Sequence, residues 1–142
     1  MARFSGGLSD AAPLLVQVKT TASGPGSSLT VFGIKAEGQN ATGSASRPVL
    51  YRPGTPGTGT GATPQVRGRN VGAVSSCELL ISFSANPSLP SVGSGAFNLP
   101  IRVSWMTNPK SGIVASQGGA IVLYQAASGG HQISGALFWE EN

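Results

Sequence analysis

The chain has 142 residues, nine basic and five acidic, so its formal net charge at pH 7 is +4. This length predicts a single domain with its own core. Only 10% of the residues are charged and 6% are aromatic. The basic residues are scattered and no apolar run is long enough to span a bilayer, so neither a nucleic acid nor a membrane is expected as a partner.

The chain begins with a segment that lacks strand character. Residues 1–12 are small and mostly polar, as termini that stay mobile often are, and we predict a flexible N-terminal arm. The remaining residues, 13–142, are predicted to form one β-sandwich domain. Its first strand is expected at 13–19, where leucine and valine predominate and polar residues are few.

The second predicted strand, 28–37, has apolar residues at both odd and even positions. Leu29 and Val31 fall on one face, and Phe32 and Ile34 fall on the other. A strand that is apolar on both faces belongs inside a sandwich or against another subunit. We therefore expect both faces of this strand to be covered.

The region after this strand is the least regular part of the chain. A short strand is predicted at 47–51, followed by a long loop rich in Gly, Thr and Pro at 52–70. Long structureless segments in a compact domain are usually functional or mobile. We expect this loop to contribute to function.

The second half of the chain is dominated by strand patterns separated by turn residues. Strands are predicted at 73–84, 99–106, 113–116, 120–125 and 132–139, with a loop at 86–95. No window has the period of an amphipathic helix. Seven or eight antiparallel strands with turns between them predict an all-β fold, a single jelly-roll-like β-sandwich.

Residues that could perform catalysis are few. His131 is the sole histidine and Cys77 the sole cysteine, and Cys77 lies on an apolar strand face. A zinc site needs three or four His or Cys ligands, and a catalytic triad needs a nucleophile beside a histidine with an acid to orient it. We expect no enzyme activity, no cofactor and no metal site.

The large aromatic residues leave two alternatives open. Trp105, Trp139, Tyr51 and Tyr124 could present a platform on which sugar rings stack. Alternatively, they fill the core or a subunit interface, as strand tryptophans commonly do.

Three segments together resemble a group of small all-β virion proteins of tailed bacteriophages. They are 48–67 (PVLYRPGTPGTGTGATPQVR), 81–90 (ISFSANPSLP), and 112–124 with 131–141 (GIVASQGGAIVLY and HQISGALFWEE). Members of that group have a Gly/Thr loop ending in Thr-Pro, a Gly-Gly hairpin and an aromatic–Glu-Glu end. The resemblance covers roughly 46–141. The loop departs from the group's pattern because it reads Thr-Gly-Thr-Gly-Ala-Thr-Pro without a doubled glycine.

The resemblance implies a tumour-necrosis-factor-like jelly roll that is made in the bacterial host cytoplasm and located in the virion. The expected function is a structural virion protein that decorates or cements the capsid exterior as a homo-oligomer, with a trimer expected. Its partners would be itself and the major capsid protein or another virion protein. The alternative is a carbohydrate- or receptor-binding β-sandwich module on a phage tail or fibre, with a glycan as ligand.

Six residues are candidates for contacts with other proteins. Four arginines group around the irregular loop and could pair with carboxylates of a capsid protein. They are Arg47, Arg52, Arg67 and Arg69. Trp105 and Trp139 are candidates for the contact between copies of the chain.

Overall fold

The computed structural model describes residues 1–7, 14–20, 28–39, 48–58, 61–62, 75–82, 94–98, 102–125 and 132–141. These residues form strands, one 3-10 turn at Pro109–Ser111 and no α-helix. The strands are β1 (Ala2–Gly7), β2 (Leu14–Lys19), β3 (Ser28–Gln39), β4 (Val49–Arg52), β5 (Gly61–Ala62), β6 (Glu78–Ser82), β7 (Ser94–Asn98), β8 (Arg102–Met106), β9 (Ile113–Ser116), β10 (Ala120–Gln125) and β11 (Gln132–Glu141). The prediction of an all-β fold is confirmed.

The strands form two antiparallel sheets. Sheet I has five strands in the order β1-β11-β3-β8, with β9 also paired to β3, and sheet II has six in the order β5-β6-β2-β10-β4-β7. One hydrophobic core takes buried side chains from both sheets, among them Ile34 and Leu137 from sheet I and Val16 and Leu123 from sheet II. This arrangement is a β-sandwich in which each sheet has an inner face toward the core and an outer face away from it.

The prediction of a flexible arm over residues 1–12 is wrong for residues 2–7, which form β1 at the edge of sheet I. Phe4 is buried and pairs with Gly135 of β11. A Cβ atom at Gly135 would lie 2.8 Å from Cζ of Phe4 and would overlap the carbonyl oxygen of Lys35. The missing side chain at Gly135 therefore leaves the space that the Phe4 ring fills, and this packing orders the N-terminal residues. Residues 8–12 lie outside the described residues.

The other predicted strands are present, with shifted ends. The strand predicted at 73–84 is found at Glu78–Ser82, and residues 75–77 precede it without strand structure. Residues 73–74 and 83–84 of that prediction lie outside the described residues. Within that strand Leu79 is buried in the core and Ile81 packs against it. Two short strands were not predicted: β5 lies within the predicted loop 52–70, and β7 begins in the last two residues of the predicted loop 86–95. Glycine-rich segments carry little strand signal on their own. Residues 86–93 lie outside the described residues.

A β-bulge in β3 corrects the prediction that this strand is apolar on both faces. The register between β3 and β11 shifts at Phe138 and Trp139, so that Phe138 pairs with Gly33 and Trp139 pairs with Val31. One extra residue, Phe32, stands on β3 at this point. Because a bulge changes the phase of side-chain alternation, the core residues before it are odd-numbered and those after it even-numbered. These inward residues are Leu29, Val31, Ile34 and Ala36.

The loop after β4 folds back over the outer face of sheet II. The side-chain amide of Gln17 in β2 donates from Nε2 to the carbonyl oxygen of Gly57 at 3.0 Å and accepts from the Gly57 amide at Oε1 at 2.8 Å. Gln17 is 3% exposed. On the same face a second apolar cluster of Leu15, Leu80 and Val122 is buried. The first part of the predicted loop, 53–58, is therefore held by a specific pair of hydrogen bonds.

Candidate functional site

Of the four arginines predicted to contact the particle, only Arg52 lies within the described residues; Arg47, Arg67 and Arg69 lie outside them. Arg52 ends β4 in sheet II with an exposed side chain. Its Nε donates a hydrogen bond of 2.7 Å to the carbonyl oxygen of Val114 in β9 of sheet I. Arg52 thus connects the two sheets within one protomer, and sequence reasoning missed this contact.

The two tryptophans contribute mainly to the protomer's own packing. Trp139 is 8% exposed and belongs to the core, and its Nε1 donates to Oε1 of Glu141 at 3.3 Å. Trp105 pairs with Ile34 and packs against the core with part of its side chain exposed. A residue that contacts another protein or stacks on a sugar must offer open side-chain surface, and Trp139 offers little.

The outer face of sheet I carries an exposed group of apolar side chains. Met106 is 51% exposed and Val114 is 47% exposed. The rings of Phe32 and Phe138 lie with their centroids 6.4 Å apart. A Cβ atom at Gly33 would overlap Sδ of Met106 and lie 3.3 Å from Cδ2 of Phe138, so these side chains meet above the glycine. We call Phe32, Met106 and Phe138 the apolar patch. Val114 lies on the same outer face, level with Thr30 of β3.

The bulge in β3 adds the Phe32 side chain to this patch and places Gly33 beneath it. Since the alternation changes phase at Phe32 and Gly33, both residues lie on the outer side of the strand, between inward-facing Val31 and Ile34. The change is visible in the sequence as an apolar pattern that switches from odd to even positions beside a glycine, which is a recognised sign of a bulge. The predicted alternation puts Phe32 and Ile34 on the same face, whereas the bulge places them on opposite faces.

Charged side chains of both signs surround the apolar patch. Lys35 and Glu37 are exposed on β3 and alternate with inward-facing residues, and Glu140 is exposed near the end of β11. Arg3 of β1 is exposed opposite Ala136. A shallow depression of about 300 Å³ is lined by Lys35, Glu37, Ser104 and Ser134 among others. An apolar centre with polar and charged surroundings is the usual composition of a protein–protein contact.

A second group of polar residues lies where the end of β11 meets the segment before β6. The carboxylate of Glu141 accepts hydrogen bonds from the hydroxyl of Ser75, from the backbone amide of Ser76 at 3.0 Å and from the indole of Trp139 at 3.3 Å. Burial alone would raise the pKa of Glu141, but these hydrogen bonds outweigh it and hold that pKa below its ordinary value. The ionised carboxylate therefore joins the last strand of sheet I to the segment that enters sheet II.

Cys77 lies beside this carboxylate and is buried. Burial, followed by the nearby charge of Glu141, raises the pKa of the Cys77 thiol to about 12. The nucleophilic form of cysteine is the thiolate, which is scarce at neutral pH when the pKa is this high. The arrangement keeps the thiol protonated and unreactive.

A further concavity lies at the edge of sheet II beside β5 and β6, with a volume of about 430 Å³. Gln17, Gly57 and Leu80 are among the residues that line it. At its rim Nζ of Lys19 lies 3.7 Å from Oε2 of Glu78. Among the described residues that line this concavity, Lys19 and Glu78 thus pair with each other, and such an exposed ion pair contributes little energy.

Within the described part of the chain, no group of three or more His, Cys, Asp or Glu side chains could hold a metal ion; His131 lies outside that part. No helix there has the length and hydropathy that crossing a membrane requires. Comparisons with protein-family models, with curated proteins and with solved structures found no match.

Proposed function

We propose that this chain is a structural virion protein of a tailed bacteriophage, which decorates or cements the capsid exterior as a homo-oligomer. The proposal includes the jelly-roll, tumour-necrosis-factor-like arrangement of the sandwich that the sequence resemblance implies. It also includes the major capsid protein or another virion protein as partner and the virion as location. The resemblance implies a trimer.

The observation that carries the proposal is the apolar patch on the outer face of sheet I. Exposed apolar residues that occur singly are normal, whereas a contiguous group with polar surroundings marks a surface that another protein covers. The low content of charged residues, 10% of the chain, supports the same conclusion because a sparsely charged surface resists association poorly. A subunit of a larger assembly requires these properties and needs no catalytic group.

The carbohydrate-binding alternative receives less support from the same residues. Sugar rings stack on open aromatic faces, but Trp139 lies in the core. Tyr51 and Tyr124 pack against the buried cluster of Leu15 and Val122 on the outer face of sheet II. Burial raises the pKa of Tyr51, and the neighbouring Tyr124 adds to this effect. We therefore do not propose glycan binding.

The proposal is tested by measuring native mass and particle binding together. Light scattering on the purified chain should give an oligomer, and three chains of 14.2 kDa would give about 43 kDa. The oligomer should co-sediment with purified capsids of the phage that encodes it, in amounts that saturate. A monomer that stays in the supernatant at every capsid concentration would contradict the proposal.

A further inference from the structure

We propose that the outer face of sheet I binds the same face of a second copy of this chain around a two-fold axis. This inference rests on the proposed function and names the contact by which copies of the chain associate. The charges around the apolar patch, and their positions along the strands, indicate that the protein bound to this face is a second copy of the chain.

Described side chains of both signs lie on this face. Arg3 and Lys35 are positive, and Glu37 and Glu140 are negative, and all four are exposed. A face with one sign of charge needs a partner with the opposite sign, whereas a face that carries both signs can complement itself. Within the described part of the protomer, Lys35 and Glu140 form no ion pair with each other or with another side chain.

The strand register places these two charges symmetrically about the patch. Lys35 lies level with Ala136 of β11, and Phe138 and Glu140 follow Ala136 at intervals of two residues on the same outer face. Phe138 is therefore midway between the level of Lys35 and the level of Glu140. We place the two-fold axis between the two copies, across the strands and at the level of Phe138. This axis brings Lys35 of one copy to the same level along the strands as Glu140 of the other.

The same operation brings the apolar patches together. Residues close to the axis contact their own counterparts in an isologous contact, so Phe138 and Met106 of one copy would face Phe138 and Met106 of the second. Two Lys35–Glu140 pairs would flank this apolar centre, one on each side. Lys35 lies on β3 and Glu140 on the neighbouring strand β11, a lateral offset of about 4.8 Å that both long side chains can span.

Within one protomer the two charges are too far apart to pair. Four residues of β11 separate the level of Lys35 from Glu140, which corresponds to about 13 Å along the strand. This exceeds the range of a direct ion pair and the Debye length of about 8 Å at physiological salt. Any coupling between the two residues must therefore arise between copies.

The decisive experiment is a charge exchange measured by sedimentation velocity over a range of protein concentrations. Lys35→Glu and Glu140→Lys should each weaken self-association about tenfold or more, because each places like charges together twice in the contact. The double variant K35E/E140K should restore the wild-type dissociation constant. Lys110→Glu, on the exposed 3-10 turn, changes the net charge as Lys35→Glu does and should leave association unchanged.

A second variant tests the apolar centre. Met106→Glu should weaken self-association about a hundredfold, since it brings two carboxylates into the middle of the contact. Circular dichroism should show that it stays folded, because Met106 is half exposed. The wild-type particle should contain an even number of copies: two, or six where the two-fold contact joins two of the trimers that the resemblance implies.

The possible outcomes separate this inference from the proposed function. A capsid-binding trimer, or a double variant as weak as the single variants, overturns the two-fold contact and leaves the proposed function standing. Single variants that behave like Lys110→Glu also overturn the contact. A wild-type chain that is monomeric and does not bind capsids overturns both.

Discussion

The hydrogen bonds between Gln17 and Gly57 allow a prediction about the loop that follows β4. Gln17→Leu keeps the approximate volume of the side chain but removes the donor to the Gly57 carbonyl and the acceptor for its amide. Each buried backbone group that loses its partner costs about 1–3 kcal/mol. Because the loop can move outward and let water reach Gly57, we expect a loss near the lower end, about 2–4 kcal/mol in the free energy of unfolding.

Urea unfolding and thermal unfolding both measure this loss. For a domain of this size about 3 °C of melting temperature corresponds to 1 kcal/mol, so Gln17→Leu should melt about 6–12 °C below the wild type. Gln132→Leu is the matched control, because Gln132 is an exposed strand residue. If the two variants lose the same small amount of stability, the Gln17 amide does not hold the loop and the reasoning is refuted.

Gln17→Glu adds a pH dependence with a definite sign. A protonated carboxyl group donates and accepts as the amide does, whereas a carboxylate loses the donor and places a charge in a buried site. The pKa of the new group should therefore be raised in the folded state above the ordinary value of about 4.3. Relative to wild type, its stabilising contribution is then complete below about pH 4.3 and is lost as the pH rises through the raised pKa. A deficit that does not change between pH 4 and pH 7 would contradict this.

Three further predictions follow from the core and from the Glu141 carboxylate. Gly135→Ala should destabilise the fold by about 3 kcal/mol or more in urea unfolding, because its Cβ would overlap the Lys35 carbonyl; Gly61→Ala, where the nearest atom is 3.7 Å away, should not. Glu141→Gln should remove stability that wild type has above about pH 4.3 and loses as the pH falls through the lowered pKa of Glu141; equal acid sensitivity of the two proteins would count against it. The Cys77 thiol should react with a thiol reagent far more slowly in the folded than in the urea-unfolded chain, in line with a pKa of about 12; equal rates would show that it is accessible.

The arginines of the irregular loop show that residue type alone does not predict which group a side chain contacts. Four arginines near the loop predict a contact with a partner, and the structure adds that Arg52 donates a hydrogen bond to Val114 within the same chain. The guanidinium group suits both roles, and its sequence position does not distinguish a carboxylate of another protein from a carbonyl of the neighbouring sheet. That distinction depends on which strands the fold brings to the same edge.

Local sequence patterns by themselves determined the all-β class and most of the strands. The period of two in segments such as 132–139 specifies one buried face wherever the strand is placed, so it can be read without knowledge of the partner strand. The burial of Ile133, Leu137 and Trp139 confirms that pattern. The phase change at Phe32 and Gly33 was also present in the sequence, although we interpreted it as two apolar faces.

Only the tertiary structure decided which strands pair and which faces stay open. The strand Ala2–Gly7 has little strand signal of its own, and it is ordered because Phe4 fits the space above Gly135, a residue far away in the chain. Likewise, Phe32, Met106 and Phe138 lie on three different strands and become one surface only when β3 pairs with β8 and β11. Long-range pairing carries no local signature, because it depends on the fit between segments that the sequence keeps apart.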